Sequence, residues 1–479
     1  MRRNVPFILL MVVGVMEFLF ITCECLFSSI GTYVIKTYLV IPCLLFAGFA
    51  IGTDLSTASK RRMLVAWIMT AWFLVVQMQR RITGEERQPM DTILLVYLMA
   101  LPYAEVAKDR MGINMKCLGK LFVAASMVLV GYLALLLLDM LPSEFADVVF
   151  LDGARANVLR HPNVTACYFM IGIGFTAYLW CQTEKKTIKA LMVFLAVVQF
   201  VAMALTNSRT IILLTCAFFC GIVFFKLEKR NWVQLLAALL VAVAVLVGMF
   251  WTSGKIYAFH NDMLREKISA HLELNQEEPL PQPELESEET VASVEQEQEE
   301  PIEQKQEEAT LNLNYREENG EVVLITQSGQ NTLAVDMWTL NGRTSIWKSA
   351  LQALRDGPSF PLWGTAYVGT VISAYNYFPV AHAHNAWIET LMRLGVPGLL
   401  FALVFTVMAV RDIIVILWNE RFELWKKVIA LLALCLLGAG FLEPYLFITQ
   451  MEFHVTNFVF FICLGYLEYW RSMRPTVEE

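Results

Sequence analysis

Charge is in short supply in this sequence. Asp, Glu, Lys and Arg make up 17% of 479 residues and hydrophobic residues 57%, whereas a soluble domain is about a quarter charged. That balance excludes a soluble globular enzyme and offers no basic face to a nucleic acid. Cysteine is missing where it could act as a staple: none of the ten lies in the one long hydrophilic segment, 252–385. A disulfide-stapled domain is therefore excluded there. Cys23 and Cys25 read either as a soft-metal pair or as thiols of a membrane core. A cleavable signal peptide is not expected, because the apolar run after Arg2 and Arg3 is too long and no small-residue cleavage site follows. Histidine numbers six, and two of them, His382 and His384, stand together where the hydrophilic segment meets an apolar one.

What is abundant is apolar runs of membrane length. Scanning for about 20 mainly apolar residues, enough to cross ~30 Å of hydrocarbon, gives about twelve spans. They fall near 5–27, 33–51, 63–79, 90–107, 119–141, 164–182, 188–205, 210–226, 232–251, 386–410, 425–442 and 453–470. The expected fold is an all-α polytopic membrane protein. Residues 1–251 hold nine spans, 252–385 form one large extracytoplasmic loop, and 386–479 hold three spans and a short cytoplasmic tail. Basic residues orient it: Lys60-Arg61-Arg62, Lys108 with Arg110, Lys185-Lys186, Lys229-Arg230 and Lys426-Lys427 fall on one side. The short loops of the other side hold Arg80, Arg81, Arg87, Arg155, Arg160 and Arg209. The positive-inside rule then puts both termini in the cytoplasm and the 252–385 loop outside.

Within that loop, residues 273–308 carry fourteen Glu against one Lys, so the rest of the chain is net positive although the whole is −7. This Glu, Gln and Pro-rich insert, near 273–309, cannot bury enough apolar surface to offset the entropy of ordering and is expected to be disordered. It reads as a tolerated insertion or as a cation-binding or partner-docking arm. Glu321 to Thr326 alternates as a short strand does. A helical part follows near 341–356, with Ile346, Ala350, Leu351 and Leu354 assigned to one face.

Three polar positions stand out on the expected outer face. Asn207-Ser208-Arg209-Thr210 joins two apolar spans. Arg209 is either a helix-end residue reaching lipid headgroups or a guanidinium held at the interface for a lipid-linked anion. Arg343 opens the loop helix with Trp347 one turn on. A solvated helix end accounts for the pair, yet guanidinium is also the preferred fork for phosphate. Asn385 can cap the helix that starts at Ala386. His384 precedes it, where the helix dipole disfavours imidazolium and leaves a neutral, proton-accepting ring. Gly395-Val-Pro397-Gly398 then interrupts that helix.

The order of these features resembles the O-antigen ligase and O-antigen polymerase superfamily. The matching motifs are Ser208-Arg209, Gly342-Arg343-(x)3-Trp347, His384-Asn385 and Gly395-(x)2-Gly398, with His161-Pro162-Asn163 as a further family feature. The resemblance implies a glycosyltransferase C-like membrane architecture in the bacterial cytoplasmic membrane. It implies glycosyl transfer at the outer face from a glycan on undecaprenyl pyrophosphate, without metal, cofactor or nucleotide sugar. The acceptor is the lipid A core of lipopolysaccharide in ligases and another lipid-linked repeat of an O-antigen, capsule or exopolysaccharide in polymerases. By that resemblance Arg209 and Arg343 clamp pyrophosphate and His384 activates the acceptor hydroxyl. Asn385, His382, Trp347 and Asn163 then contribute to substrate binding. Two departures bear on the acceptor: the acidic insert, and Leu362-Trp-Gly-Thr-Ala-Tyr367 in place of a more glycine-rich turn.

A transporter or flippase of lipid-linked glycans is the alternative from another class. It would favour internal repeats and charged residues near mid-membrane. No repeat relates the halves of this sequence, and its candidate polar residues gather on one side.

Overall fold

The computed structural model describes residues 5–23, 41–83, 93–141, 149–151, 155–158, 161–226, 254–263, 315–318, 321–324, 343–356, 360–365, 367–376, 382–444, 446–447 and 454–473, with single helical positions between 233 and 252. The chain divides into two compact units, Met1–Gly254 with Gln330–Glu479, and Lys255–Gly329. In the second unit, β3 (Tyr315–Glu318) pairs antiparallel with β4 (Glu321–Leu324), so the expected strand is present over its first four residues, and its last two lie outside the described residues. The acidic insert at 273–309 lies outside the described residues.

The first unit is a helical bundle, because an apolar run can satisfy its backbone away from water only by internal hydrogen bonds. Its helices are α1 (Val5–Cys23), α2 (Ile41–Ile51), α3 (Thr57–Thr83), α4 (Ile93–Ala100), α5 (Tyr103–Val106), α6 (Ile113–Leu137), α7 (Pro162–Gln182), α8 (Lys186–Leu205) and α9 (Arg209–Lys226). They continue as α10 (Arg343–Asp356), α11 (Phe360–Trp363), α12 (Val368–Ser373), α13 (Ala386–Trp418), α14 (Leu424–Gly440) and α15 (His454–Ser472). One two-residue ladder, β1 (Phe150–Leu151) with β2 (Ala156–Asn157), precedes α7. Among the described residues six helices, α3, α6, α7, α8, α9 and α13, are long and apolar enough to cross a membrane. The chain is thus a polytopic, mainly helical membrane protein. The other expected spans correspond to shorter or more polar helices, and 232–251 is described only at scattered positions. The expected span 90–107 is two helices, α4 and α5, parted at Pro102, which lacks an amide for the helical ladder.

Two polar ends are fixed by α3. Arg62, buried near its start, pairs with Asp412 of α13 at 2.6 Å and with Glu468 of α15. Arg80, fully buried, lies eighteen residues further on, about 27 Å along a helix axis. That spacing matches the ~30 Å hydrocarbon thickness.

The Arg80 end is organised by the break in α13. Gly395 sits at φ 68° and ψ −168°, and Pro397 has no amide to offer. The carbonyls of Met392, Arg393 and Leu394 thereby lose their helical partners. Three groups from elsewhere replace them: the Thr365 amide donates to Met392 at 2.6 Å, Arg80 Nη2 to Arg393 at 2.5 Å, and Trp72 Nε1 to Leu394 at 2.9 Å. Trp363 stacks on Trp72 with centroids 5.3 Å apart. Gly364, at φ 69°, lies so close that a Cβ there would meet the Arg393 carbonyl carbon at 2.4 Å. Arg80 and Arg81, expected in an exposed loop, belong instead to α3, which continues to Thr83.

On α10 the buried stripe is Arg343, Ile346, Ser349, Ala350 and Ala353. Ile346 and Ala350 form an apolar cluster with Val368, Ile372, Ala383 and Met392, against which Trp347 and Leu354 pack. Leu351, assigned to the same face from sequence, is 55% exposed. A step of about 100° per residue turns it away from Ala350.

Candidate functional site

The site residues stand at helix starts, where free amides and the positive end of the helix dipole gather. His161 caps α7: its ring accepts from the Asn163 amide at 3.3 Å, and Pro162 fills the first helical position, where a missing amide costs nothing. Arg209 is the first residue of α9, and the preceding Ser208 carbonyl accepts from Ile212 at 3.0 Å. Arg343 is the first residue of α10. Asn385 caps α13, its Oδ1 accepting from the amides of Trp387 and Ile388, both at 3.0 Å.

His382 and His384 lie just outside that cap. Their rings are 4.0 Å apart, and the His384 amide donates to His382 Nδ1 at 3.3 Å. Between them, the Ala383 amide donates to Glu389 at 2.8 Å, so the first turn of α13 braces the turn that precedes it. His384 takes φ 49°, a left-handed backbone that costs energy for any residue bearing a Cβ. The two hydrogen bonds and the cap hold it there.

Glu443, in the turn after α14, joins these pieces. Its carboxylate is 1% exposed and accepts from Arg343 Nη2 and from Asn163 Nδ2 at 2.7 Å, while His384 Nδ1 lies 3.0 Å away. Asn385 Nδ2 donates to the Phe441 carbonyl at 2.9 Å, which ties the same turn to the start of α13. Arg155 Nη2 donates to Asn163 at 3.2 Å and extends the chain of contacts towards the Thr206 carbonyl, three residues before Arg209.

The electrostatics follow from this packing. Burial pushes the Glu443 carboxyl up, but the hydrogen bond from His384 and the charges of His384 and Arg343 prevail and hold it below the ordinary carboxylate range. Burial lowers His382 to about 4, helped by the charge of His384. Burial likewise lowers His161, against the pull of Glu443. His382 and His161 are thus neutral at pH 7 and Glu443 is ionised.

His382, His384 and Glu443 each place one ligand atom within 4.8 Å of the others, a donor set with the chemistry of a divalent cation site. The guanidinium of Arg343 already neutralises that carboxylate. Two of the three side chains, His384 and Glu443, are also hydrogen-bond partners of each other at 3.0 Å.

Of the residues expected from sequence, His384, Arg343 and Asn163 meet at one carboxylate, with His382 and Asn385 adjoining them. Trp347 lies against the apolar cluster of α10. Arg209 is half-buried at the same end of the bundle and makes no hydrogen bond or ion pair among the described residues. Gly342 lies outside those residues. Glu443 was missed. Its sequence signal is weak but real: in Phe441-Leu-Glu443-Pro444 a carboxylate stands among apolar residues at the end of a span, where an ionisable group needs a partner.

No curated protein matches the chain. The family model described as O-Antigen ligase matches residues 191–403, a segment that includes Arg209, Arg343, His384 and Asn385. That match supports a likeness of this segment to the O-antigen ligase superfamily.

Proposed function

We propose that this protein is a metal-independent glycosyltransferase of the cytoplasmic membrane. It moves a glycan from undecaprenyl pyrophosphate to an acceptor hydroxyl, in the manner of an O-antigen ligase. The observation that carries this reading is the meeting of His384 and Arg343 at one buried carboxylate, in a membrane bundle with a segment that matches the O-antigen ligase family model. In the reaction the bond between the anomeric carbon and the pyrophosphate oxygen breaks, and the lipid pyrophosphate leaves with the electron pair. The acceptor oxygen bonds to the anomeric carbon, and its proton passes to His384. Arg343 and Arg209 stabilise charge growing on the leaving group, a task guanidinium performs without a divalent ion. His384 is the base, since imidazole can take a proton near neutral pH.

The positive-inside reading puts both termini in the cytoplasm and this site on the outer face, in the 252–385 loop and its flanking helix starts. Asn385, His382, Trp347 and Asn163 contribute to substrate binding. A polymerase of the same superfamily would use the same chemistry with a lipid-linked repeat as acceptor. The test is purified protein with a short-chain lipid pyrophosphate-linked glycan and either a lipid A core or a second lipid-linked repeat. Acceptor-dependent release of lipid pyrophosphate is expected, and the productive acceptor separates ligation from polymerisation. Movement of the glycolipid across a vesicle bilayer without release would overturn the transferase reading in favour of transport.

A further inference from the structure

Glu443 lies forty residues beyond the matched segment and belongs to none of the motifs read from the sequence. Yet it bonds groups from three separate elements: Arg343 of α10, Asn163 at the start of α7 and His384 before α13. We propose that Glu443 is a positioning residue that serves the base and the anion-binding arginine at once. One carboxylate oxygen holds the His384 proton on Nδ1, and the other holds the guanidinium of Arg343. The inference rests on the transferase reading above for its consequence in catalysis, but its geometric part does not.

The chemistry runs through the inventory of donors. An ionised carboxylate accepts and cannot donate, so the nitrogen 3.0 Å from Glu443 Oε2 must be the one that carries hydrogen. A neutral imidazole with its proton on Nδ1 has its lone pair on Nε2. Nε2 is then the atom that receives the acceptor's proton. After transfer the ring is an imidazolium, and the same carboxylate stabilises it at short range in a buried setting. The other charged or titratable groups facing His384 are His382 on its own turn, Arg343 from α10, and His161 with Arg155 from the segment around the start of α7. Among these groups Glu443 is the acid in direct contact with the His384 ring.

Arg343 and Asn163 both donate to the remaining oxygen, which fixes the carboxylate's plane and hence the direction in which His384 is held. A residue that only filled space in this turn would not need both oxygens satisfied by separate elements. A cation shared by His382, His384 and Glu443 is the competing use of the same atoms, and the experiment below separates the two.

The experiment compares wild type, Glu443→Gln and Glu443→Asp in detergent or nanodiscs. Glu443→Gln keeps the shape but can donate as well as accept, so kcat is expected to fall about 10²- to 10⁴-fold, up to the loss seen when a general base is held in the wrong tautomer. The acceptor KM should change less than the rate. Glu443→Asp restores an acceptor-only group and should recover part of that loss. Because the chain holds only six histidines, 15N-histidine NMR can read the tautomer directly. His384 should carry its proton on Nδ1 in the wild type and show a mixture in Glu443→Gln. Wild-type kcat together with an unchanged tautomer in Glu443→Gln would overturn the proposal. So would loss of wild-type activity in EDTA with recovery on added Zn2+, which would make these residues a metal centre. If wild type fails to release lipid pyrophosphate, the transferase reading falls, and the tautomer measurement still decides the geometric part.

Discussion

His384 Nδ1 and Glu443 Oε2 lie 3.0 Å apart although 59 residues separate them in the chain. The contact turns a histidine at a membrane boundary into an oriented one. His384→Ala removes both the acceptor of the sugar hydroxyl's proton and a hydrogen bond to the buried carboxylate. Transfer should fall about 10²- to 10⁴-fold, the range for a positioned general base, at unchanged protein abundance. Normal release of lipid pyrophosphate by purified His384→Ala protein would remove the base assignment.

The two arginines should behave differently when truncated. Arg343 is buried and paired with Glu443, so Arg343→Ala strands a carboxylate in the interior. The expected cost is about 3 kcal/mol or more of stability, seen as a lower melting temperature in detergent, together with lost activity. Arg209→Ala removes a half-buried side chain with no hydrogen bond or ion pair among the described residues, and should change stability by less than about 0.5 kcal/mol while still impairing transfer. Equal melting temperatures for the two variants would contradict the assigned geometry.

How much of this was legible beforehand depended on the range of the forces involved. The helices came from composition within a short window, and the Asn385 cap and the break at Gly395 with Pro397 came from local backbone chemistry, so both were readable. Arg80 was misread because an arginine near a span end usually reaches for headgroups. Here it turns inward to the Arg393 carbonyl, which only the break in another helix leaves open. Leu351 was put on the buried stripe of α10 because several apolar residues share that helix, and only the packed partners show which stripe is covered. Glu443 was passed over for the same reason: its local signal is weak, and its partners lie 59, 100 and 280 residues away.

The break in α13 also predicts an intolerant glycine. Gly364 combines φ 69° with backbone of residues 392 and 393 inside 2.6 Å of any added Cβ. Backbone cannot yield as the tip of a side chain can, and the left-handed conformation adds its own penalty. Gly364→Ala should therefore destabilise by more than about 2 kcal/mol and loosen the donation from the Thr365 amide to Met392. Trp72→Phe, which keeps the stacking surface but removes the indole donor to Leu394, should cost about 1–3 kcal/mol by leaving that carbonyl unsatisfied. Thermal unfolding of the two purified variants measures both effects.

Acid should weaken the fold through His382. Burial lowers its pKa to about 4 in the folded protein, against about 6.5 for a free histidine. Between those values the unfolded chain binds a proton that the folded chain refuses, so stability rises with pH in that window and is lost as pH falls through it. Above about pH 6.5 the residue is neutral in both states and contributes no slope. The expected slope is about 1 kcal/mol per pH unit between roughly pH 6 and 4.5. His161 is lowered in the same direction and adds to it. Glu443, held below the ordinary carboxylate range, stabilises above about pH 4.5, and its contribution disappears only at lower pH. The two windows can be separated with His382→Gln. Its melting temperature should fall less than that of the wild type between pH 6.5 and 4.5, and both proteins should then lose stability together below that range. Parallel melting curves for wild type and His382→Gln across the upper window would mean that His382 is not held neutral by its surroundings.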